Sequence, residues 1–431
     1  MEPDDDAADV AASAPPVPPS RRWRDDLRLL RERDLGLVLV SRLVSDFGTG
    51  MAPIALAFGV LALPGGSASG LGIVLMCAAI PRLVFLLIGG VIADRVRSRA
   101  RLMATAEAAA ALAQLCAAGL FLSGHATVPA LAMLAVVNGT ALSIFYPTMT
   151  GLVPHLASGD ALQSANALIR MSTSIAGIVG TALGGILVAT VGSGWALLLD
   201  AATYAVSAVL LALVRAGVVP RSDGQERSST LSDLLHGWRE FTARRWVWLV
   251  VALFSVSNFG FTAAIGVLGP VRAATSYGGA RGWAAVMVAF SLGTLVGVVT
   301  AMRLRPSRPL RTAMLAQLVV AFPILALAPP AALPVVVALA FLSGLGINVF
   351  EVLWQTCLQS YVPRESLSRV ASYDWFGSMA LSPVALAVAG LLAAGIGLGP
   401  ALVVCGILGA VAPLALLDPE VRGLRAVPAT R

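Results

Sequence analysis

The chain has 431 residues, of which 58% are apolar and only 12% are charged, against roughly 25% charged in a soluble domain. Its formal net charge is +7, and all thirty basic residues are arginines. They cluster at the ends of apolar runs and form no continuous stripe, which excludes a nucleic-acid surface, while the number of long charge-free runs excludes a soluble core.

The chain opens with an acidic, Ala/Pro-rich tail over residues 1–20, followed by Arg21, Arg22, Arg24, Arg28, Arg31 and Arg33. A cleavable signal places its apolar segment directly after a short basic one, and this arrangement does not. The segment 21–34 is expected to lie as a short helix on the membrane surface. Twelve apolar spans follow, each able to cross a hydrocarbon layer roughly 30 Å thick at about 1.5 Å per residue. The predicted spans are 35–63, 71–92, 102–122, 128–153, 161–190, 195–214, 247–270, 282–303, 311–329, 334–360, 366–395 and 398–417. The expected domains are a tail (1–34), a six-helix bundle (35–214), a linker (215–246), a second six-helix bundle (247–417) and a tail (418–431).

The loops fall into two sets. Arginine crowds the N-terminal tail, the 2–3 loop, the linker, the 8–9 and 10–11 loops and the C-terminal tail; the alternate loops are short and nearly uncharged, apart from Arg272 and Arg281. Positive residues stay on the cytoplasmic side, which predicts cytoplasmic termini and linker. Cys77, Cys116, Cys357 and Cys405 fall inside spans with no CxxC spacing, as small packing residues.

Ionisable side chains inside spans are costly and are functional candidates, the alternative being that they pair among themselves and only hold helices together. Arg42 and Asp46 lie four apart and share a helix face, with Asp46 about 16 Å into span 1, near the midplane. Arg82 follows Pro81 in span 2, Arg170 lies in span 5, Glu351 in span 10 and Asp374 in span 11. Glu107 is shallower and is expected to partner the arginines of the 2–3 loop. Asp200 is expected near the outer surface, solvated or capping. Trp195, Trp283, Trp246 and Trp248 are expected to mark the membrane interfaces, with Trp354 and Trp375 deeper.

The two halves resemble each other. Ser45, Phe47, Gly48, Gly66 and Gly70 recur 212 positions later as Ser257, Phe259, Gly260, Gly278 and Gly282. Gly139, Phe145, Asp160 and Leu162 match Gly344, Phe350, Glu365 and Leu367 at an offset of 205. The fold class is therefore an all-α polytopic membrane protein with twelve transmembrane helices in two pseudo-symmetric six-helix bundles. Such repeats point to a transporter with its site between them near the midplane.

The segment Gly89-Gly90-Val91-Ile92-Ala93-Asp94-Arg95-Val96-Arg97-Ser98-Arg99 resembles the signature loop of the major facilitator superfamily. Gly90, Asp94, Arg95 and Arg99 are the gating-loop candidates; the second-half counterpart Met302-Arg303-Leu304-Arg305-Pro306-Ser307-Arg308 lacks the acid. Gly180-Thr181-Ala182-Leu183-Gly184-Gly185 is similar to the core of the proton-antiporter motif of drug exporters, with Thr181 in place of its proline; plain small-residue packing explains these glycines equally well. With the SRLVSDFG opening of span 1, the chain most resembles the branch holding macrolide-efflux and siderophore-export proteins. The resemblance implies that spans 1, 4, 7 and 10 line the cavity, favouring Asp46, Tyr146, Asn258 and Glu351.

The function expected is proton-coupled efflux of a fairly apolar small molecule (drug, secondary metabolite or siderophore) by alternating access. Import or uniport of a metabolite is the alternative, and a non-transporting membrane sensor a more distant one. Asp46, Glu351 and Asp374 are the proton-coupling candidates; Arg42, Asp46, Arg82, Tyr146, Arg170, Asn258, Phe259, Glu351 and Trp354 are the substrate-binding candidates. The expected partners are substrate, protons and the lipid bilayer, with no cofactor, metal or nucleic acid, and the protein is expected to be a monomer.

Overall fold

The computed structural model describes residues 32–96, 98–157, 160–215 and 238–425. The surface helix expected over 21–34 falls almost wholly outside them. The first half comprises α1 (Arg33–Leu61), α2 (Ala68–Arg95), α3 (Arg99–Leu122), α4 (Val128–Leu156), α5 (Asp160–Val191) and α6 (Ser193–Ala212). The second comprises α7 (Arg245–Ser276), α8 (Ala280–Arg303), α9 (Pro309–Leu327), α10 (Leu333–Tyr361), α11 (Arg364–Met379 and Ser382–Ile396) and α12 (Leu398–Gly409, continued by Ala412–Leu417). The described residues thus hold 12 helices long and apolar enough to cross a membrane.

Prolines explain where the helices lose regularity. A proline has no N–H for the carbonyl four residues back. Pro270 offers no N–H to the carbonyl of Gly266, and α7 passes there through a π turn, Ala264–Leu268. Pro323 stands four after Val319, inside the 3-10 turn Leu318–Val320 of α9. Pro383 follows the break in α11, four after Met379.

The helices bury polar side chains along with an apolar core and leave large apolar ones on the outer face. On α1 the buried side chains include Ser41, Arg42, Ser45 and Asp46, whereas Val40 and Leu43 are 45% and 43% exposed. With lipid as the outer solvent, apolar groups face outward at no cost and polar groups must find partners within.

The repeat read from the sequence is physical. Between α5 and α6 the chain reverses on one residue, Gly192 (φ 95°), and 205 positions later it reverses between α11 and α12 on Gly397 (φ 89°). Only glycine occupies such a left-handed turn without strain. Among the described residues, every positive-φ position lies in the short loops, at the end of the bundle opposite the linker.

That end is closed. Gly72 and Gly390 bring α2 and α11 into backbone contact, at Leu386 and Ser69 respectively, and Gly185 of α5 lies against Ala284 of α8. One hydrophobic cluster spans both halves there, including Ile54, Leu71, Leu268 and Leu386. Towards the linker the buried clusters separate by half, around Val247, Phe350 and Trp354 in one and Val38, Met103 and Phe145 in the other.

Candidate functional site

The second half encloses a cavity of about 370 Å³ among α7, α8, α10 and α11. Phe254, Phe261, Phe290, Phe350, Trp354 and Trp375 line it, with Asn258, Glu351, Gln355 and Asp374. Asp374 is buried and accepts from Trp354 Nε1 at 3.0 Å, across 20 residues of sequence. Glu351, one turn before Trp354 on α10, is solvent-accessible in the cavity and accepts from Gln355 Nε2 at 3.2 Å. None of the lining residues is basic, and no described residue forms an ion pair with either acid. Phe254, Phe350 and Trp354 stack in a column, with centroids 4.9 and 6.3 Å apart.

The first half uses the equivalent place differently. Arg42 forms a buried ion pair with Asp46, and its guanidinium sits 5.0 Å from the centre of the Phe145 ring. Phe254 stands 212 positions after Arg42 and Phe350 stands 205 after Phe145, so an arginine-on-ring contact in one half is a ring-on-ring contact in the other. Asp46 accepts from Thr173 Oγ1 at 2.6 Å; its repeat equivalent Asn258 donates to the carbonyl of Ser378, the equivalent of Thr173, at 3.0 Å. The helix pairs α1–α5 and α7–α11 therefore share one polar bridge, charged in the first half and neutral in the second. Ser45 Oγ donates to both Glu107 carboxyl oxygens, at 3.1 and 3.2 Å, adding a second buried acid beside the pair.

A further cavity of about 390 Å³ lies between the halves, on the closed side. It is mainly apolar, with Arg82, Gln114, Asn138, Thr49 and Tyr204 among its polar lining. Behind Gln114, its Nε2 donates to Asp200 Oδ2 at 2.5 Å; Asp200 is fully buried, and its other oxygen has no hydrogen-bond partner among the described residues. Tyr204 and Thr49 share a hydrogen bond of 3.0 Å.

The sequence profile of the Major Facilitator Superfamily matches residues 38–382, most of the chain. The chain belongs to the Major Facilitator Superfamily. Among curated superfamily relatives, it is 26% identical over 378 residues to the multidrug efflux pump Tap of Mycolicibacterium fortuitum, covering 84% of this chain and 90% of that one. It is 26% identical over 356 residues to the enterobactin exporter EntS of Salmonella choleraesuis (strain SC-B67), covering 81% and 83%. Among solved structures, a variant of the nucleoside transporter NupG superposes with a TM-score of 0.73 at 13% identity, covering 89% of this chain and 98% of that one. A bacterial homologue of the lysosomal transporter Spinster does so at 0.62 and 14%, covering 95% and 100%. These likenesses show the fold. The protein is a multi-pass membrane transporter and not an enzyme.

Against that superfamily plan, the cavity of the second half gathers four of the expected residues: Asn258, Glu351, Trp354 and Asp374. Arg82 lines the cavity between the halves. Arg42 and Asp46 are buried against each other and line neither cavity, Phe259 packs on the shared core, and Arg170 is exposed outside both. Gly180 and Gly184 abut Phe47 and Met51 of α1, while Gly185 abuts the other half; close helix packing requires all three glycines. Arg99 begins α3, while the side chains of Tyr146, Asp94 and Arg95, and Gly90, lie outside the described residues.

Three expectations are corrected. Asp200 is not a solvated surface group: α6 starts at Ser193, and Gly48 of α1 leaves just enough room for its carboxyl inside the bundle. Glu107 pairs with Ser45 of α1. Trp283 and Trp246 do not mark interfaces; they are 3% and 4% exposed, the first packed on Gly269 and the second edge-on to Trp354. Glu107, Gln114, Asn138, Thr173 and Tyr204 were not singled out as site residues, because a helix position gives depth but not the neighbour it meets.

Proposed function

We propose that the protein is a proton-coupled exporter of a fairly apolar small molecule, a drug, secondary metabolite or siderophore, working by alternating access as a monomer. The carrying observation is that Glu351 and Asp374 face an aromatic cavity with no basic partner among the described residues. A carboxyl group in such surroundings exchanges protons reversibly, so proton entry and cargo departure become alternatives at one place. The activities of the relatives Tap and EntS, efflux and export, support the direction. The arginine-rich loops support cytoplasmic termini, which makes the closed end the outer one and this conformation open towards the cytoplasm.

Asp46 takes the second coupling role. A proton arriving there neutralises the partner of Arg42 and loosens the α1–α5 bridge through Thr173. Gly90, Asp94, Arg95 and Arg99 act in this reading as the gating turn between α2 and α3.

Efflux from proteoliposomes under an imposed pH gradient tests the proposal. Asp46→Asn, combined with Arg42→Gln so that no buried charge is left uncompensated, and Glu351→Gln should each abolish gradient-driven extrusion while membrane insertion is unchanged. Wild-type extrusion in both variants removes these residues from coupling, and accumulation in place of extrusion reverses the direction.

A further inference from the structure

Within the reading of the second-half cavity as the cargo site, we propose that the cargo is a monovalent organic cation, seated between Glu351 and Asp374 against the ring column of Phe254, Phe350 and Trp354.

The comparison between the halves carries this. In the first half an acid, a cation and an aromatic ring meet in one buried cluster: Asp46, Arg42 and Phe145. In the second half the ring is retained as Phe350, the cation position is occupied by Phe254, and two acids arrive from α10 and α11. The cation is the component that is missing. Glu351 and Asp374 both line this one cavity, and the donors on their carboxyl groups, Gln355 and Trp354, are neutral. A charge entering from outside therefore completes the cluster as Arg42 does in the first half.

The lining selects what kind of cation. A cavity of about 370 Å³ lies in the range of small-molecule sites, roughly 300–1,000 Å³. A metal ion of the hard kind needs six or more oxygen ligands, and the described residues offer no group of three acids, cysteines or histidines. Aromatic walls instead attract a diffuse, weakly hydrated ammonium or phosphonium. An anion of the same size meets two acids and no counter-charge.

Binding of tetraphenylphosphonium to the purified full-length protein in nanodiscs, with tetraphenylborate as the size-matched anion, provides the test. Tetraphenylphosphonium should bind and tetraphenylborate should not, with affinity falling as protons compete at low pH. Glu351→Gln and Asp374→Asn should each weaken binding about tenfold or more, and Glu351→Asp should retain affinity within about threefold, showing that loss follows charge rather than folding. Equal binding of the two probes, or unchanged affinity in both neutral variants, overturns the proposal. Cation binding without extrusion from proteoliposomes would remove the exporter reading and leave the cargo charge standing.

Discussion

Gly344 of α10 lies so close to Phe290 of α8 that a Cβ at the glycine would fall on the phenylalanine carbonyl oxygen. Gly139 of α4 meets Ala78 of α2 in the same way, at offsets of 205 and 212. At the same offsets Gly48 faces Asp200 and Gly260 faces Cys405, but there the first-half glycine meets the carboxyl side chain and only the second-half one meets a backbone carbonyl. The two halves are thus built on the same close helix approaches, and the glycines are where they occur.

Gly344→Val and Gly139→Val should each push apart a central helix pair. In a close-packed interior the added methyl groups have no space, and overpacking typically costs 1–3 kcal/mol, about the same here for either site. Thermal unfolding of the purified variants, followed by aggregation onset, should show both destabilised by similar amounts. Wild-type stability in either would show that the helices separate freely at that point.

Arg42→Gln should be more damaging than its removal together with Asp46. Losing one member of a buried pair leaves the other uncompensated, at a cost of about 3–5 kcal/mol, whereas removing both deletes the liability. The double variant Arg42→Gln/Asp46→Asn should therefore recover most of the expression and stability lost in Arg42→Gln. Additive losses in a double-mutant cycle would contradict the pairing.

Gln114→Leu should strand Asp200. Its amide is the donor seen on that carboxyl, and an unsatisfied buried acceptor costs about 1–3 kcal/mol. Adding Asp200→Asn to Gln114→Leu should not restore stability, since an amide in the same pocket still lacks a partner. A double replacement with leucine at both positions should perform better. The comparison is read by denaturation midpoint in detergent.

Gly390→Val should shift the conformational balance. Its added bulk meets the backbone of Ser69 at the closed end, so the contact between α2 and α11 is penalised only while that end is shut. Spin labels at Ser67 and Ile396 should report a longer mean separation in the variant by pulsed dipolar spectroscopy. An unchanged distance distribution would mean that the seal does not depend on this approach.

Much of this was legible beforehand. Asp46 lies four residues after Arg42, and a helix puts positions four apart on one face, so their pairing follows from local geometry alone. The repeat offsets that matched glycines also aligned Arg42 with Phe254 and Thr173 with Ser378. Asn258 and Glu351, on spans the resemblance favours, line one cavity with Trp354 and Asp374, whereas Asp46, favoured on the same ground, lines neither cavity. Asp200 and Glu107 were misread for one reason: counting residues at 1.5 Å each locates a side chain along the membrane normal but not around the helix axis. Whether it meets lipid, water or Ser45 depends on which helix lies beside it.

The sequence by itself determined the solvent, the number of crossings and the doubling, because hydrocarbon admits only long charge-poor helices and a duplicated chain keeps its turn and packing glycines in order. Tertiary structure decided the pairings: Trp354 with Asp374 and Gln114 with Asp200 are 20 and 86 residues apart. Within a membrane, polar groups have no water to fall back on, so each takes the partner that helix packing brings, and that packing is set by the whole bundle at once.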